Sequence, residues 1–416
     1  MSDAAMWLRG LIPSADFVED RVREIVVDVM ERGDEAVVDY TRTYDTDVDP
    51  HPLVVPGAEL DEAITRLPLD MVAGLQVATA NVAEVAQADV AENVSVTLPQ
   101  GQRVTRREIP VKSAAVYVPG GRAPYPSTAV MGVVTARAAG VQDVVVCSPP
   151  ARDGQIHPMI LGTCRLLGVE RVYRMGGAQA VAALAYGTQT VDRVDVIVGP
   201  GNLYVQEAKR QVSSIVGIDG FAGPSDLLVV MGEDADTRLV ALDLQAQAEH
   251  GRASLVAAVS SVPATLDALA REIEGLDAQA PTVEPAVCAL IDVADVQAGI
   301  ELANAYAPEH LELVGAEPEA LASKVRSAGC VFVGAAAATA FGDYVAGSNH
   351  ILPTAGAARF ASGLSTRHFR RRMSEVRIDP AGAEKLARAG APIARAEGFE
   401  WHARSMEARM GENQES

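Results

Sequence analysis

The stretch Ala307-Pro308-Glu309-His310-Leu311 sets a carboxylate beside an imidazole after a proline, and the chemistry open to such a pair is proton transfer at a small substrate. An imidazole in ordinary surroundings titrates near neutrality, so His310 is suited to act as a base around pH 7. The competing reading is structural, with His310 beginning a strand and Glu309 solvated. Gln247-Ala248-Glu249-His250 closes a helix expected over Thr237 to Glu249. There Gln247 and His250 share a face and offer an oxygen and a nitrogen to a metal, while Glu249 has a different azimuth. Gly342-Asp343-Tyr344 adds a carboxylate, Ser348-Asn349-His350 an imidazole, and the tail an acid and an imidazole, Glu397 and His402. A mixed set of Gln247, His250, Asp343 and His402 suits Zn²⁺ in a catalytic site with positions left for substrate. Taken singly, Asp343 also reads as a helix cap and His402 as a surface position.

These side chains need elements to hold them. Helical spacing over Val296 to Ala307 and an apolar strand over Leu311 to Val314 bracket the Glu-His pair, so both residues can face one cleft. Met1 to about Arg9 reads as a short mobile lead. Helices are expected over Ala15 to Glu31 and Glu35 to Tyr44 around the turn Arg32-Gly33-Asp34, then over Ala58 to Leu67 and Leu69 to Val90. A Pro-bounded strand, His51 to Pro56, precedes the latter two, and Gly101 to Pro110 reads as a β-ribbon.

From Ala114 to Gly199 the chain alternates. Strands at Ala114 to Val118, Asp143 to Cys147, Arg171 to Arg174 and Asp195 to Val198 are separated by helices at Thr128 to Ala139, Ile156 to Leu167 and Ala178 to Tyr186. That pattern is a parallel sheet with right-handed crossovers, whose ligand loops lie beyond the carboxyl ends of the strands. Pro119-Gly120-Gly121, Gly176-Gly177 and Gly199-Pro200-Gly201-Asn202 fall at those ends, where missing side chains let a cofactor approach the backbone. None is a G-x-G-x-x-G fingerprint, and each also reads as an ordinary turn. A second series, with strands at Leu227 to Met231, Leu255 to Val259, Cys288 to Asp292, Leu311 to Val314 and Cys330 to Val333, predicts a second such sheet. The expected fold class is α/β, with two doubly wound Rossmann-like halves. After Gly363 the pattern weakens, and Phe369-Arg370-Arg371-Arg372 leads into a helix-rich tail. Leu386 to Arg409 makes a poor core alone, so this tail is expected to pack on another domain or subunit.

Composition excludes several classes. With 416 residues, 49% hydrophobic residues and a mean hydropathy of +0.12, the chain can bury substantial cores in two or three domains. A net charge of −20 and a pI near 4.8 speak against nucleic acid and for small molecules or other subunits as partners. Lysine is nearly absent, which suits a high-salt cytoplasm or a GC-rich genome equally. Cys147, Cys164, Cys288 and Cys330 are scattered in or beside apolar segments, so reduced core thiols are expected. No apolar run reaches the ~18 residues of a membrane span and no signal sequence is recognisable, so a soluble, cytoplasmic protein is expected.

Eight ordered stretches carry a resemblance over nearly the whole chain. They are Val116-Tyr-Val-Pro-Gly-Gly121, Gly176-Gly-Ala-Gln-Ala180, Gly199-Pro-Gly-Asn202, Ala222-Gly-Pro-Ser225, Gln247-Ala-Glu-His250, Ala307-Pro-Glu-His-Leu311, the run Gly342 to Thr354, and Glu397 to His402. In these the chain resembles the histidinol dehydrogenases, zinc-dependent, NAD-linked enzymes of the last two oxidations in histidine biosynthesis. The resemblance implies Gln247, His250, Asp343 and His402 as ligands of one zinc ion per subunit, and Glu309 and His310 as the acid/base pair. Ser225, His350 and Glu397 then hold substrate beside the metal and catalytic residues, and Tyr117, Gln179 and Asn202 contact NAD.

The resemblance also implies an architecture. Residues 13–116 and 227–364 form one α/β domain, 117–226 an inserted NAD-binding α/β domain, and 1–12 and 365–416 small terminal segments. The latter is exchanged in a domain-swapped homodimer, so that His402 serves the site of the other chain. In the mechanism implied, zinc orients the substrate, His310 takes the hydroxyl proton as hydride leaves to NAD, and Glu309 activates water for the second oxidation. One departure stands out: where the family carries a basic residue shortly before Gly-Pro-Gly-Asn, this chain has Val196. Relatives with the same apparatus oxidise other polar alcohols, and a zinc-containing protein that binds a small amine without chemistry is a non-catalytic alternative. Glu397, able to meet a substrate ammonium, favours histidinol.

Overall fold

The alternation of apolar runs with helical spacing resolves into parallel sheets in the computed structural model, which describes residues 2–11, 18–48, 52–120, 123–221, 223–251, 254–279 and 286–410. The chain begins with helices α1 (Ser2–Gly10), α2 (Glu19–Arg32), α3 (Asp34–Tyr44), α4 (Gly57–Thr65) and α5 (Leu69–Ala88), then strands β1 (Val94–Thr97) and β2 (Arg103–Pro110). Strands β3 (Ser113–Tyr117), β4 (Asp143–Ser148), β5 (Val172–Arg174), β6 (Val196–Val198) and β7 (Gly217–Ile218) follow, interleaved with α6 (Pro126–Ala138), α7 (Pro158–Leu166), α8 (Gly177–Tyr186) and α9 (Leu203–Val212). Next come β8 (Asp226–Met231), β9 (Leu255–Ser260), β10 (Val287–Asp292), β11 (His310–Val314) and β12 (Cys330–Val333), with α10 (Thr237–Ala248), α11 (Pro263–Gln279), α12 (Val296–Tyr306) and α13 (Ala316–Ala320) between them. The chain ends through α14 (Thr339–Tyr344), β13 (Arg370–Arg377), α15 (Pro380–Ala396) and α16 (Glu400–Glu407).

Among the described residues one sheet has the order β5-β4-β3-β6-β7 and another β10-β9-β8-β11-β12. Every pairing in both is parallel. In each the first strand stands at the centre, which follows from helical crossovers leaving to one side and then to the other. Both faces of the first sheet are covered. Along β3, Ala114 and Val116 enter a core with Met131, Val133 and Ile160, whereas Ala115 and Tyr117 enter another with Val181, Leu184 and Val205. Burial on both faces explains why β4 reads as an unbroken apolar run, Val144-Val145-Val146, instead of an alternating one. The second sheet is arranged likewise, with Leu228 and Val230 against Ile300 on one face, and Leu227 and Val229 against Val240 and Leu244 on the other.

Packing departs from the expected division of the chain. Val22, Ile25 and Val37 of α2 and α3 join one core of the first sheet, and Leu60, Leu75 and Val82 of α4 and α5 join the other. Residues 18–89 thus clothe the sheet of the expected inserted domain, not that of 227–364, and a boundary at 116/117 would cut β3, which pairs with β4 and β6. The expected mobile lead is α1, whose Ala5 and Leu8 are buried against α12. Of the expected strand at His51 to Pro56 only a single bridge, Val54 to Tyr173, forms, and His51 lies outside the described residues. So do residue 12, Gly121, Ala222 and the expected start of α2 at Ala15. Cys147 and Cys164 are buried free thiols, but Cys288 is exposed and Cys330 half-buried, because β10 and β12 are the edges of their sheet.

The described residues divide into two compact units, one reaching to Asp89 and resuming over Val111–Phe369, the other formed by Val90–Pro110 and the chain from Arg370 onward. The second unit contains a strand that the sequence reading missed. β13 pairs antiparallel with β2, which pairs antiparallel with β1. Its helices α15 and α16 bury only small residues, Gly382, Ala387, Ala391, Ala394 and Ala403, the last three clustered against Met406, a core as thin as expected of the tail. No helix among the described residues is long and apolar enough to cross a membrane.

Candidate active site

The Glu-His pair is delivered by the end of α12. Asp295 caps the start of this helix, accepting the Ala298 N–H at 2.7 Å. At the other end Ala307 takes a left-handed conformation, φ 53°, and Pro308 cannot continue a helix. Two terminal carbonyls, those of Ala305 and Tyr306, accept from the Arg9 guanidinium at 2.9 and 2.7 Å. The chain then enters β11, the strand beside central β8. His310 opens that strand, opposite Leu227 and Cys330. Glu309 and His310 are 6% and 3% exposed, which rules out the solvated reading of Glu309. Gly329 permits the neighbouring strand to come this close, since a Cβ there would stand 2.6 Å from the Glu309 carbonyl.

A chain of hydrogen bonds ties the pair to two expected site residues. Gln247 Nε2 donates to Ser225 Oγ at 2.5 Å, and Ser225 Oγ donates to Glu309 Oε2 at 2.5 Å. Asp226, which the sequence reading passed over, holds the rest. Its Oδ1 accepts the Glu309 N–H at 2.7 Å, its Oδ2 accepts the Tyr306 hydroxyl at 3.1 Å, and its carbonyl faces His310 Nδ1 at 3.2 Å. A carbonyl can only accept, so Nδ1 carries the proton and Nε2 is the atom left for chemistry. The signal was present: a carboxylate heading the otherwise apolar run Asp226-Leu-Leu-Val-Val-Met has to be buried with partners.

His310 stands between two carboxylates, with Nδ1 3.7 Å from Glu309 Oε2 and Nε2 3.7 Å from Asp343 Oδ1. Burial pushes the imidazole down, but the charges of Glu309 and Asp343 outweigh it and carry it to about 9. Between these carboxylates the imidazole is therefore raised above the near-neutral value expected of its type. Burial pushes the Glu309 carboxyl up, and burial together with the Glu309 charge brings Asp226 to about 7. Burial also pushes Asp343 up, but its bond to His310 and the imidazole charges hold it below the usual carboxylate range.

Asp343 lies within α14, not at its cap. The start of that helix is held by the buried Glu312, whose Oε1 accepts the Thr339 N–H at 3.0 Å. His350 supports the helix from the other side. Its Nδ1 donates to the Asp343 carbonyl at 2.8 Å, and its Nε2 accepts from Thr128 Oγ1 of α6 at 3.1 Å. Both ring nitrogens are thus engaged, and burial holds the imidazole below its ordinary value.

Gln247 occupies the last turn of α10 and His250 lies two residues past the end of that helix. The His250 N–H still bonds the Gln247 carbonyl at 3.2 Å, so the turn continues. α10 packs on α14, and charge on His250 favours the ionised forms of both Glu309 and Asp343. Among the described residues no three His, Cys, Asp or Glu side chains are gathered closely enough to hold a metal ion. Gln247 is the further donor here. It is buried, and because its Nε2 is committed to Ser225, its carbonyl oxygen is the atom that could face a metal. An amide oxygen, an imidazole and a carboxylate fit a cation of mixed oxygen and nitrogen preference with room for another ligand. The remaining expected donor, His402, is exposed on α16 in the second unit, its ring 5.2 Å from that of Phe399, and Glu397 is exposed at the end of α15.

The three residues expected at a nucleotide share one cavity of about 540 Å³, a size ordinary for a ligand site. Tyr117 closes β3, Gln179 stands in the first turn of α8, and Asn202 caps α9 by accepting the Tyr204 and Val205 N–H groups at 3.1 Å. The Tyr117 hydroxyl accepts the Gly177 N–H at 3.1 Å, and Gln179 Nε2 donates to Asp45 Oδ2 at 3.2 Å. Asp45, which nothing in the sequence marked, lines the same cavity, and burial brings it to about 6. Val196 is buried in the core with Val116 and Val146 and does not line the cavity.

One parallel sheet thus carries a buried acid-imidazole pair, and the other a ligand-sized cavity at the ends of its strands. A family model described as histidinol dehydrogenase matches residues 13–410. The histidinol dehydrogenase of Parasynechococcus marenigrum (strain WH8102) is 41% identical over 399 residues, covering 94% of this chain and 91% of that one. That of Pseudomonas savastanoi pv. phaseolicola is 42% identical over 408 residues, covering 95% and 90%. A crystal structure of histidinol dehydrogenase from Elizabethkingia anophelis superposes with a TM-score of 0.90 at 31% identity, covering 96% of this chain and 93% of that one. The chain belongs to the histidinol dehydrogenase family.

Proposed function

We propose that the protein oxidises L-histidinol to L-histidine through L-histidinaldehyde, as a zinc-dependent, NAD-linked enzyme of histidine biosynthesis. The observation that carries this is the buried Glu309-His310 pair, with Nδ1 of His310 fixed by the Asp226 carbonyl and Nε2 turned toward Asp343. Gln247, His250, Asp343 and His402 are the residues that would hold zinc, and Tyr117, Gln179 and Asn202 those that would contact NAD. When bound, zinc orients the imidazole and amine of the substrate, and NAD⁺ accepts one hydride in each of two oxidations.

His310 Nε2 takes the hydroxyl proton in the first oxidation, leaving the aldehyde. A partner that takes up the charge of Asp343 removes one of the two carboxylates that raise His310, and so returns it toward a working base. Glu309, whose raised pKa suits a proton acceptor and donor, takes a proton from the water that adds to the aldehyde. His310 accepts the hydrate's proton in the second oxidation. Overall, one alcohol, one water and two NAD⁺ give one carboxylate, two NADH and three protons, which leave through His310 and Glu309 to solvent. Ser225, His350 and Glu397 hold substrate, His350 by exchanging Thr128 Oγ1 for substrate at Nε2 and Glu397 through the substrate ammonium.

We further read the functional form as a domain-swapped homodimer in which residues 365–416 are exchanged, so that Glu397 and His402 serve a second copy. The thin core of α15 and α16 supports this, as do the exposed Ile393, Phe399 and Trp401 along the segment that carries both residues. The test is NADH formation with L-histidinol, with and without chelator. Chelator-sensitive release of two NADH per substrate is expected; no turnover by folded, zinc-loaded protein would remove the assignment.

A further inference from the structure

The chain has lysines only at positions 112, 209, 324 and 385, and Lys209 is buried to 1% exposure on α9. Its Nζ pairs with Asp219, which follows β7 and whose side chain is 5% exposed. Neither group serves the acid-base site. Both close on a single residue, holding the two peptides that flank it: Lys209 Nζ donates to the Gly199 carbonyl at 3.0 Å, and Asp219 Oδ2 accepts the Gly199 N–H at 2.7 Å. Gly199 opens the loop that runs to Asn202. It has φ +120°, and a Cβ there would stand 2.1 Å from the Tyr117 carbonyl, so the loop is pressed on the backbone that presents Tyr117 to the cavity.

Burying an ion pair is expensive, and apolar residues of the same volume generally stabilise a fold as well or better. What the charged pair supplies that an apolar pair cannot is a fixed position for the two polar groups of Gly199. We propose that Lys209 and Asp219 are positioning residues for the nucleotide. They clamp the backbone on both sides of Gly199 and thereby set where Asn202 and Tyr117 stand in the cavity. This inference rests on reading that cavity as the NAD site.

The test is calorimetric titration with NAD⁺ of the wild type, of Lys209→Met/Asp219→Leu, and of the milder Lys209→Met/Asp219→Asn, together with steady-state kinetics. The apolar variant is expected to raise the NAD⁺ Kd and KM about tenfold, the scale of one well-made polar contact. Its kcat at saturating cofactor should fall far less, and its KM for the alcohol should stay within about twofold. The second variant, which keeps an acceptor for the Gly199 N–H, should fall between. An unchanged Kd in either folded variant overturns the clamp alone. Failure of the wild type to bind NAD⁺ overturns the cofactor reading and the clamp with it. Loss of cooperative unfolding in both variants assigns the pair to fold stability and also overturns the clamp.

Discussion

Asp226 accepts the backbone N–H of Glu309 at 2.7 Å, so the first residue of β8 fixes the turn by which the neighbouring strand delivers its acid and imidazole. Asp226→Ala leaves that N–H unpaired at a buried position and frees Tyr306, at a cost of roughly 1–3 kcal/mol in stability. Because the residue orients reacting groups without touching substrate, kcat is expected to fall by about 10- to 100-fold with a small change in KM. Urea unfolding and steady-state kinetics read the two effects separately. Full kcat in the variant would show that Glu309 and His310 hold their positions unaided.

His310→Asn removes the proposed base and should abolish turnover while leaving metal content unchanged. His402→Ala should lower zinc content after dialysis, as should Asp343→Asn. Elemental analysis beside the activity assay distinguishes these classes, and full zinc content in His402→Ala would strike that residue from the ligands.

Glu312 gives a pH prediction. Burial, with the charge of Asp243 adding to it, raises its carboxyl from 4.5 to about 8. In the unfolded chain the group loses its proton near 4.5, whereas in the folded protein it keeps it to about 8. Between those values the folded state holds the extra proton, so this group lowers stability as pH rises through the window. Glu312→Gln keeps an acceptor for Thr339 and cannot ionise. It should stabilise the protein by on the order of 4 kcal/mol at pH 8 and by about 1 kcal/mol or less at pH 5. A thermal shift equal at both pH values would contradict the assignment.

Ala307 holds φ 53° at the exit of α12, a conformation that costs an L-residue about 1 kcal/mol or more. Ala307→Gly should therefore be tolerated without loss of stability, whereas the branched Ala307→Val should destabilise by about 1–3 kcal/mol and depress activity by displacing the pair that follows. Equal stability of the two would show that the turn relaxes freely.

Much of this was legible in the residues. Continuous apolar runs such as Val144-Val145-Val146 and Leu227-Leu228-Val229-Val230 between helical segments specify parallel strands, and both sheets follow. β13 was hidden because Arg370 to Arg377 is mostly exposed and carries no apolar alternation; it is a strand by virtue of pairing with β2, a non-local cause. α1 was misread because a short helix with two buried residues, Ala5 and Leu8, is stabilised by docking on α12 and not by its own periodicity. At the site, spacing alone left Gln247 and His250 ambiguous, and motif resemblance singled them out. The upward shift of His310 was out of reach because it depends on the burial of Glu309 beside it and on Asp343, a residue adjacent only in space.

The pairing of β2 with β13 carries a temporal consequence. Glu108 accepts from Arg370 across 262 residues of sequence, so the β1-β2 hairpin leaves the ribosome long before its third strand exists. Both parallel sheets can close from segments already synthesised, while β2 waits with an open edge of eight residues. A chain released before Arg370 keeps that edge for good, and exposed strand edges recruit other chains. Premature termination is thus expected to yield aggregating fragments and not dormant monomers, because the edge of β2 that β13 covers stays open.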